Sequence, residues 1–279
     1  MILIIDSGAT KADWCLVGSE GPVSRFKTSG MNFSTMSADA VQAILAEGMA
    51  VLGSADVSEV HLYAAGLLEG SPAHDTAVSS VRTAFAGAEV ECTSDLPAAA
   101  RAVCGRSPGI AAILGTGSNS CLFDGDRIVA NVRSGGFILG DEGGGACLGK
   151  LFISDYIKGL VPEPLASSFG EAFDVDYLTV VSRVYREEAP SSYLGSFAPW
   201  ILARAESDAY ARSLVVRNLS SFFDRSLSRY ARPDLSVGFV GGFAAAVAPY
   251  LEEIASDRGI RISKILASPM EGLVQYHSL

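Results

Sequence analysis

The sequence predicts an α/β protein assembled from two related halves, and three observations lead there. Two short stretches look like copies of one device: residues 1–17 read MILIIDSGATKADWCLV and residues 110–123 read IAAILGTGSNSCLF. The apolar periodicities of the first hundred or so residues alternate in the order β-β-β-α-β-α-β-α, which builds a mixed sheet with helical crossovers. Hydrophobic residues make up 49% and charged residues 19% of the 279, enough for a large core and unlike a disordered chain.

Residues 1–6, 12–17 and 23–28 read as three successive strands, followed by a polar loop at 29–34. Val41, Ile44, Leu45, Met49 and Leu52 recur at helical spacing over 38–52. A strand at 60–64, a helix at 72–86, a short strand at 90–93 and a helix at 97–104 complete the first half. The stretch GRSPG at 105–109 is punctuated by Gly and Pro and reads as a linker between lobes 1–109 and 110–279. The second half restarts with strands at 110–114, 119–123 and 127–132, then turns helical at 143–158, 166–173, 176–186, 196–205 and 208–230. A strand at 236–240 runs through Gly241 and Gly242 into a helix at 244–256. A strand at 260–264 and a helix at 270–277 close the chain, the helix expected to pack back on the first lobe.

The net charge of −10 argues against nucleic-acid or anionic-membrane partners, but not against nucleotide binding, which needs only local N–H groups and Mg²⁺. The five cysteines form no CxxC and read as reduced, buried thiols of a cytoplasmic protein. The start MILIIDSG lacks the basic region of a secretory signal, and the uncharged stretch Val237–Leu251 is too short and Pro-broken to span a bilayer. His61, His74 and His277 have no metal-ligand spacing and read as surface or packing residues.

Each copy of the device predicts a hairpin whose tight turn presents N–H groups and hydroxyls, an anion-binding arrangement. Matching the copies by residue type sets Asp6 opposite Gly115, Ser7 opposite Thr116, Gly8 opposite Gly117 and Thr10 opposite Asn119. Two such turns suggest two half-molecules gripping one polyphosphate. Asp6, at the end of an apolar strand beside such a turn, is placed to hold Mg²⁺ directly or through water. Lys11 reads equally as a phosphate contact or a solvated side chain. Asp95 follows a strand and opens a helix; it suits both an N-cap and a carboxylate that accepts a hydroxyl proton during phosphoryl transfer. Asp141 and Glu142 sit within GGFILGDEGGGA (135–146), the densest glycine cluster, and Asp141 suits sugar hydroxyls as a bidentate acceptor. Gly144–Lys150 fits GxxxxGK, but Leu151 stands where a Walker loop needs Ser or Thr. Gly241 and Gly242 by themselves read as close helix–strand packing, and Asn32 alone as a turn residue.

With these residues in view, the chain resembles the sugar-kinase side of the actin/Hsp70/hexokinase superfamily. More narrowly it resembles the BadF/BadG/BcrA/BcrD-type group that contains N-acetylglucosamine kinase. DSGATKADW resembles that family's first phosphate motif, LGTGSNS its second, VGFVGGF its adenosine motif, SDLPAAARA its catalytic segment and GGFILGDEGGGA its sugar-side motif. The resemblance implies a two-lobed ribonuclease H-like fold of actin/hexokinase type, with mixed sheets and an interdomain cleft. It implies ATP and Mg²⁺, with Asp95 as general base and Asp6 as the Mg²⁺-organising acid. Ser7, Gly8, Thr10, Lys11, Thr116 and Gly117 would hold phosphates, and Gly241 and Gly242 the nucleotide. Asn32, Ser118, Asn119 and Asp141 would touch a small-molecule sugar, an N-acetylhexosamine phosphorylated at C6, in a protein that is a homodimer. The chain is short for the group, which predicts that part of a substrate-side insertion is missing.

Two other functions share this cleft. A dehydratase-activating ATPase bridges an iron–sulfur cluster through several thiolates, yet no second cysteine follows Cys147. A nucleotide sensor without turnover has no use for a base at Asp95.

Overall fold

The computed structural model describes residues 1–8, 11–33 and 35–278, and it is α/β, with two five-stranded mixed sheets. The elements of the first part are β1 (Ile2–Ser7), β2 (Lys11–Gly18), β3 (Gly21–Ser29), α1 (Ala38–Leu52), β4 (Glu59–Ala64), α2 (Pro72–Ala84), β5 (Glu89–Thr93) and α3 (Asp95–Cys104). There follow β6 (Gly109–Leu114), β7 (Ser118–Phe123), β8 (Ile128–Ala130), α4 (Gly136–Leu139), α5 (Gly145–Tyr156), α6 (Leu165–Ala172), α7 (Tyr177–Tyr185), α8 (Pro190–Gly195), α9 (Ala198–Leu202) and α10 (Ala209–Arg225). The chain ends with β9 (Val237–Val240), α11 (Gly242–Ala246), α12 (Ala248–Asp257), β10 (Ile262–Leu266) and α13 (Met270–His277). Two compact units result: Met1–Ser107 with Asp124–Ile128 and Ser268–Leu279, and Pro108–Phe123 with Val129–Ala267.

In the first unit the strand order is β3-β2-β1-β4-β5, antiparallel on the β1–β2–β3 side and parallel from β1 to β5. Leu3, Ile4 and Ile5 of the central strand are fully buried, because helices cover both faces. One face packs Leu3, Ile5 and Leu62 against Val41 and Leu45 of α1 and Val81 of α2. Trp14 lies so close to Gly48 of α1 that a Cβ there would sit 2.5 Å from its ring. Its indole N–H donates to Thr28 Oγ1 at 2.9 Å. On the other side α13 packs on α3, where Gly272 lets the two helices approach: a Cβ on it would strike the Ala102 backbone.

In the second unit the order is β10-β9-β6-β7-β8, with β6–β7 antiparallel and β6–β9 and β9–β10 parallel. Read outward from β1 and from β6, the two sheets have the same order, which is the duplication the sequence suggested. Most elements fall within a few residues of their expected positions, with instructive exceptions. The helix expected over 244–256 is broken at Val247 (φ −106°), because Pro249 has no N–H to continue α11 and instead opens α12. The helix expected over 208–230 ends at Arg225, and a 3₁₀ turn, Leu227–Tyr230, follows. The glycine cluster at 135–146 contains the single turn α4, whose Phe137 carbonyl accepts from Lys150 Nζ at 2.8 Å. No helix among the described residues is long and apolar enough to cross a membrane.

Candidate active site

The β1–β2 ladder ends on the pair Ser7 and Ala12, and the β6–β7 ladder on Leu114 and Ser118. Counted from those closing pairs, Ser7 corresponds to Leu114, Gly8 to Gly115 and Asp13 to Asn119. The alignment by residue type, which set Asp6 opposite Gly115, is therefore out of register. The first loop is one residue longer than the second, and a match of residue types cannot see hairpin register.

In the first unit, the register pairs Asp6 directly with Asp13, so both carboxylates emerge on one face of the sheet. Like charges opposite one another are costly, and Asp95 adds a third. Burial, then Asp13, then Asp95 push the Asp6 carboxyl up to about 7, against the pull of Lys11. Lys27 Nζ reaches Asp13 Oδ1 at 3.4 Å. Asp95 is the first residue of α3, with Ser94 as N-cap. Burial raises its carboxyl above the usual range, although the backbone N–H groups of Asp95 and Leu96 favour the charged form. Asp95 is therefore not the N-cap: Ser94 takes that position and makes no side-chain capping bond, while the N–H groups of the first turn meet the Asp95 carboxylate.

Ser7 turns its hydroxyl inward. It is buried and accepts from the Met31 N–H at 2.8 Å, which ties the first turn to the loop carrying Asn32. Gly8 donates its N–H to the Lys11 carbonyl at 2.9 Å, and Lys11 is exposed. The Asn32 carbonyl accepts from the N–H of Met36 at 2.9 Å. Thr10 lies outside the described residues.

In the second unit, the loop Gly115–Gly117 is bound to the glycine segment that follows α4. The first N–H groups of α5, on Gly145 and Ala146, donate to the carbonyls of Gly115 and Thr116 at 2.8 and 2.9 Å. Asp141 adopts φ +57° and lays its carboxylate over Gly117, where a Cβ would sit 2.7 Å from Oδ2. It also accepts, at 3.4 Å, from the N–H of the buried Ser118. Asn119 uses its Oδ1 to accept from Ser120 N–H at 2.9 Å and Asn131 Nδ2 at 3.0 Å. What it can offer a ligand is its amide donor end. Glu142 is paired with Arg225. Gly241, at φ +128°, packs so tightly that a Cβ would strike the Leu114 carbonyl, while a Cβ on Gly242 meets nothing within 4 Å. The GxxxxGK match falls on the N-cap and first turns of α5, with Lys150 committed to Phe137, so it forms no phosphate loop. Cys147 is buried in α5, and burial raises its thiol.

Sequence reasoning missed Asp13, which the hairpin register would have paired with Asp6. It also missed Asn218, a lone buried Asn in the apolar stripe of α10. Among the described residues no three His, Cys, Asp or Glu side chains gather into a metal cage. The acids fit a different kind of site: Mg²⁺ keeps several waters and takes one or two carboxylates together with phosphate oxygens. A half-buried carboxylate beside two others is where such a cation relieves repulsion.

No protein-family model and no curated protein matches the chain. Solved structures do. A candidate N-acetylglucosamine kinase from Porphyromonas gingivalis is 39% identical with a TM-score of 0.93, covering 100% of this chain and 99% of that one. A candidate N-acetylglucosamine kinase from Chromobacterium violaceum is 21% identical at a TM-score of 0.75, covering 99% and 98%. A candidate sugar kinase from Cytophaga hutchinsonii is 18% identical at 0.55, covering 99% and 98%. The latter two bear on fold alone. The fold is that of the actin-like ATPases and sugar kinases. Within that class, the identity to the Porphyromonas protein over the whole chain places this protein in the N-acetylglucosamine kinase-like family. The match spans nearly all of that relative, so beside it no substrate-side insertion is missing.

Proposed function

We propose that the protein is an ATP-dependent sugar kinase that phosphorylates an N-acetylhexosamine, N-acetylglucosamine first among them, at the C6 hydroxyl. The observation that carries this reading is the trio Asp6, Asp13 and Asp95, whose repulsion and burial raise Asp6 to about 7 and favour a bound cation. Family membership supplies the reaction class. Bound with ATP, Mg²⁺ would neutralise charge on the β- and γ-phosphate oxygens.

Asp95 accepts the proton of the attacking hydroxyl. The sugar oxygen forms the new bond to the γ-phosphorus, the bond from that phosphorus to the β–γ bridging oxygen breaks, and ADP leaves. Burial raises the proton affinity of Asp95, which suits a base that takes a proton only as the P–O bond forms. Asp6 holds the cation, with Asp13 alongside. Gly8, Thr10, Lys11, Thr116 and Gly117 orient phosphates, and Gly242 offers open backbone to the nucleoside beside the close-packed Gly241. Asp141 accepts from sugar hydroxyls, while Ser118, Asn119 and Asn32 donate to the sugar and its acetamido group. Ser7 contributes by holding the turn. Positioning of this kind supplies most of the catalysis in phosphoryl transfer. The five cysteines, none of them in a disulfide among the described residues, suit a reducing, cytoplasmic setting.

ADP release measured against N-acetylglucosamine, N-acetylmannosamine, glucosamine and glucose tests the substrate class. Phosphorus-coupled NMR of the product tests the position. Turnover confined to unacetylated sugars would overturn the N-acetyl assignment, and a product phosphorylated elsewhere would overturn C6.

A further inference from the structure

Helix α10 presents an apolar stripe of Leu214, Val215, Leu219, Phe222 and Phe223 to the core, and in its middle stands Asn218, 1% exposed. An amide at such a place is costly unless both ends are bonded. Here both are. Its Oδ1 accepts from the Gly143 N–H at 2.9 Å, and its Nδ2 donates to the Gly144 carbonyl at 3.1 Å. The segment it grips has no side chains of its own to anchor it, and it needs none there. A Cβ on Gly143 would lie 2.8 Å from Phe222, and one on Gly144 2.7 Å from the Thr116 carbonyl. Seven residues along the same helix, Arg225 pairs with Glu142.

What Asn218 holds extends in two directions. Upstream, two residues from Gly143, is Asp141 with its left-handed backbone and its carboxylate over Gly117. Downstream are Gly145 and Ala146, whose N–H groups fix the Gly115 and Thr116 carbonyls. We infer that Asn218 is a positioning residue: it locks the sugar-facing carboxylate and the second phosphate turn into one block. This inference rests on the sugar-kinase reading for its substrate, though not for its geometry.

The test compares Asn218→Ala and Asn218→Asp with Val215→Ala, a core truncation on the same helix whose apolar side chain makes no hydrogen bond to the loop. Assays run well below each variant's melting temperature. Asn218→Ala should raise KM for the sugar about tenfold or more and weaken ATP several-fold, as expected when a catalytic geometry loosens. Asn218→Asp, which keeps an acceptor for Gly143 but sets a buried carboxylate oxygen against the Gly144 carbonyl, should shift the same constants at least as far. Val215→Ala should lower the melting temperature and leave both KM values in place. If Asn218→Ala melts early yet keeps wild-type KM values, the residue is structural only and the inference falls. Should Asn218→Ala not fold, the small neutral replacement Asn218→Ser decides by the same criterion. Amide hydrogen exchange gives an answer independent of turnover. Faster exchange at Gly143, Gly145 and Ala146 in the Asn218 variants, and not in Val215→Ala, supports the anchor. Unchanged exchange overturns it. A wild type that turns over no sugar would sink the kinase reading while leaving this readout intact.

Discussion

At the scale of single residues, the proposed mechanism gives Asp95 and Asp6 different roles, and their surroundings differ accordingly. Asp95→Asn keeps the size and removes the base. We expect kcat to fall by about 10²–10⁴ while ATP affinity stays within a factor of a few, checked by steady-state kinetics and calorimetry. Asp6 makes a pH prediction. Its carboxyl titrates near 7 in the fold against an ordinary 3.8, so its contribution to stability is whole below pH 3.8 and lost as pH rises through 7. A cation favours the charged form. Binding of Mg²⁺ and ATP at pH 6 should therefore release a proton, read from binding enthalpies in two buffers of different ionisation heat. Asp6→Asn should abolish that release and, without nucleotide at pH 8, melt higher than the wild type. The positions of Asp6 and Asp95, beside a turn and at a helix start, were legible in the sequence because an apolar strand leads to each. Asp13 was not, because its importance comes from the partner across the ladder, and pairing is a property of register. Ser7 was legible as a turn residue, yet the direction of its hydroxyl, toward Met31, depends on a distant loop.

Among the elements, the final helix α13 is tied into the first unit by a partly buried polar chain. Arg101 donates to Tyr63 Oη at 2.7 Å, and Tyr63 Oη lies 2.7 Å from His277 Nε2. The Tyr63 O–H can donate only if that nitrogen is unprotonated. Burial, then His61 and Arg101, lower His277 to about 3. Burial alone would raise Glu91; bonds from His61 and Arg101 outweigh it and bring Glu91 down to about 2. Both groups are depressed below their unfolded values, 6.5 and 4.5, so stability is present above those values and is lost as pH falls toward 3 and 2. Protection factors along α13, corrected for the intrinsic pH dependence of exchange, should therefore fall between pH 6.5 and 3, and His277→Gln should flatten that dependence. Elements with their own periodicity, such as α1, were readable from sequence. Those decided by one backbone group were harder. Pro249 splits α11 from α12, and the single-turn α4 has too few residues to show a period.

For the molecule as a whole, the duplicated hairpin was the strongest signal in the sequence, and the matching strand orders of the two sheets are its structural counterpart. Local pattern specified the elements of each sheet, but not the side-chain bonds, such as those of Asn218, that hold the loops at its end. Mg²⁺ with ATP at about 100 times its Kd should stabilise the folded chain by about 2.7 kcal/mol, seen as a higher melting temperature that EDTA reverses. One measurement reaches the central claim most directly: ADP release by wild type and Asp95→Asn, with and without N-acetylglucosamine, at saturating Mg²⁺ and ATP. The account predicts strong stimulation by the sugar in the wild type and its near-complete loss in Asp95→Asn. ATP turnover indifferent to every sugar, or full activity in Asp95→Asn, would contradict it.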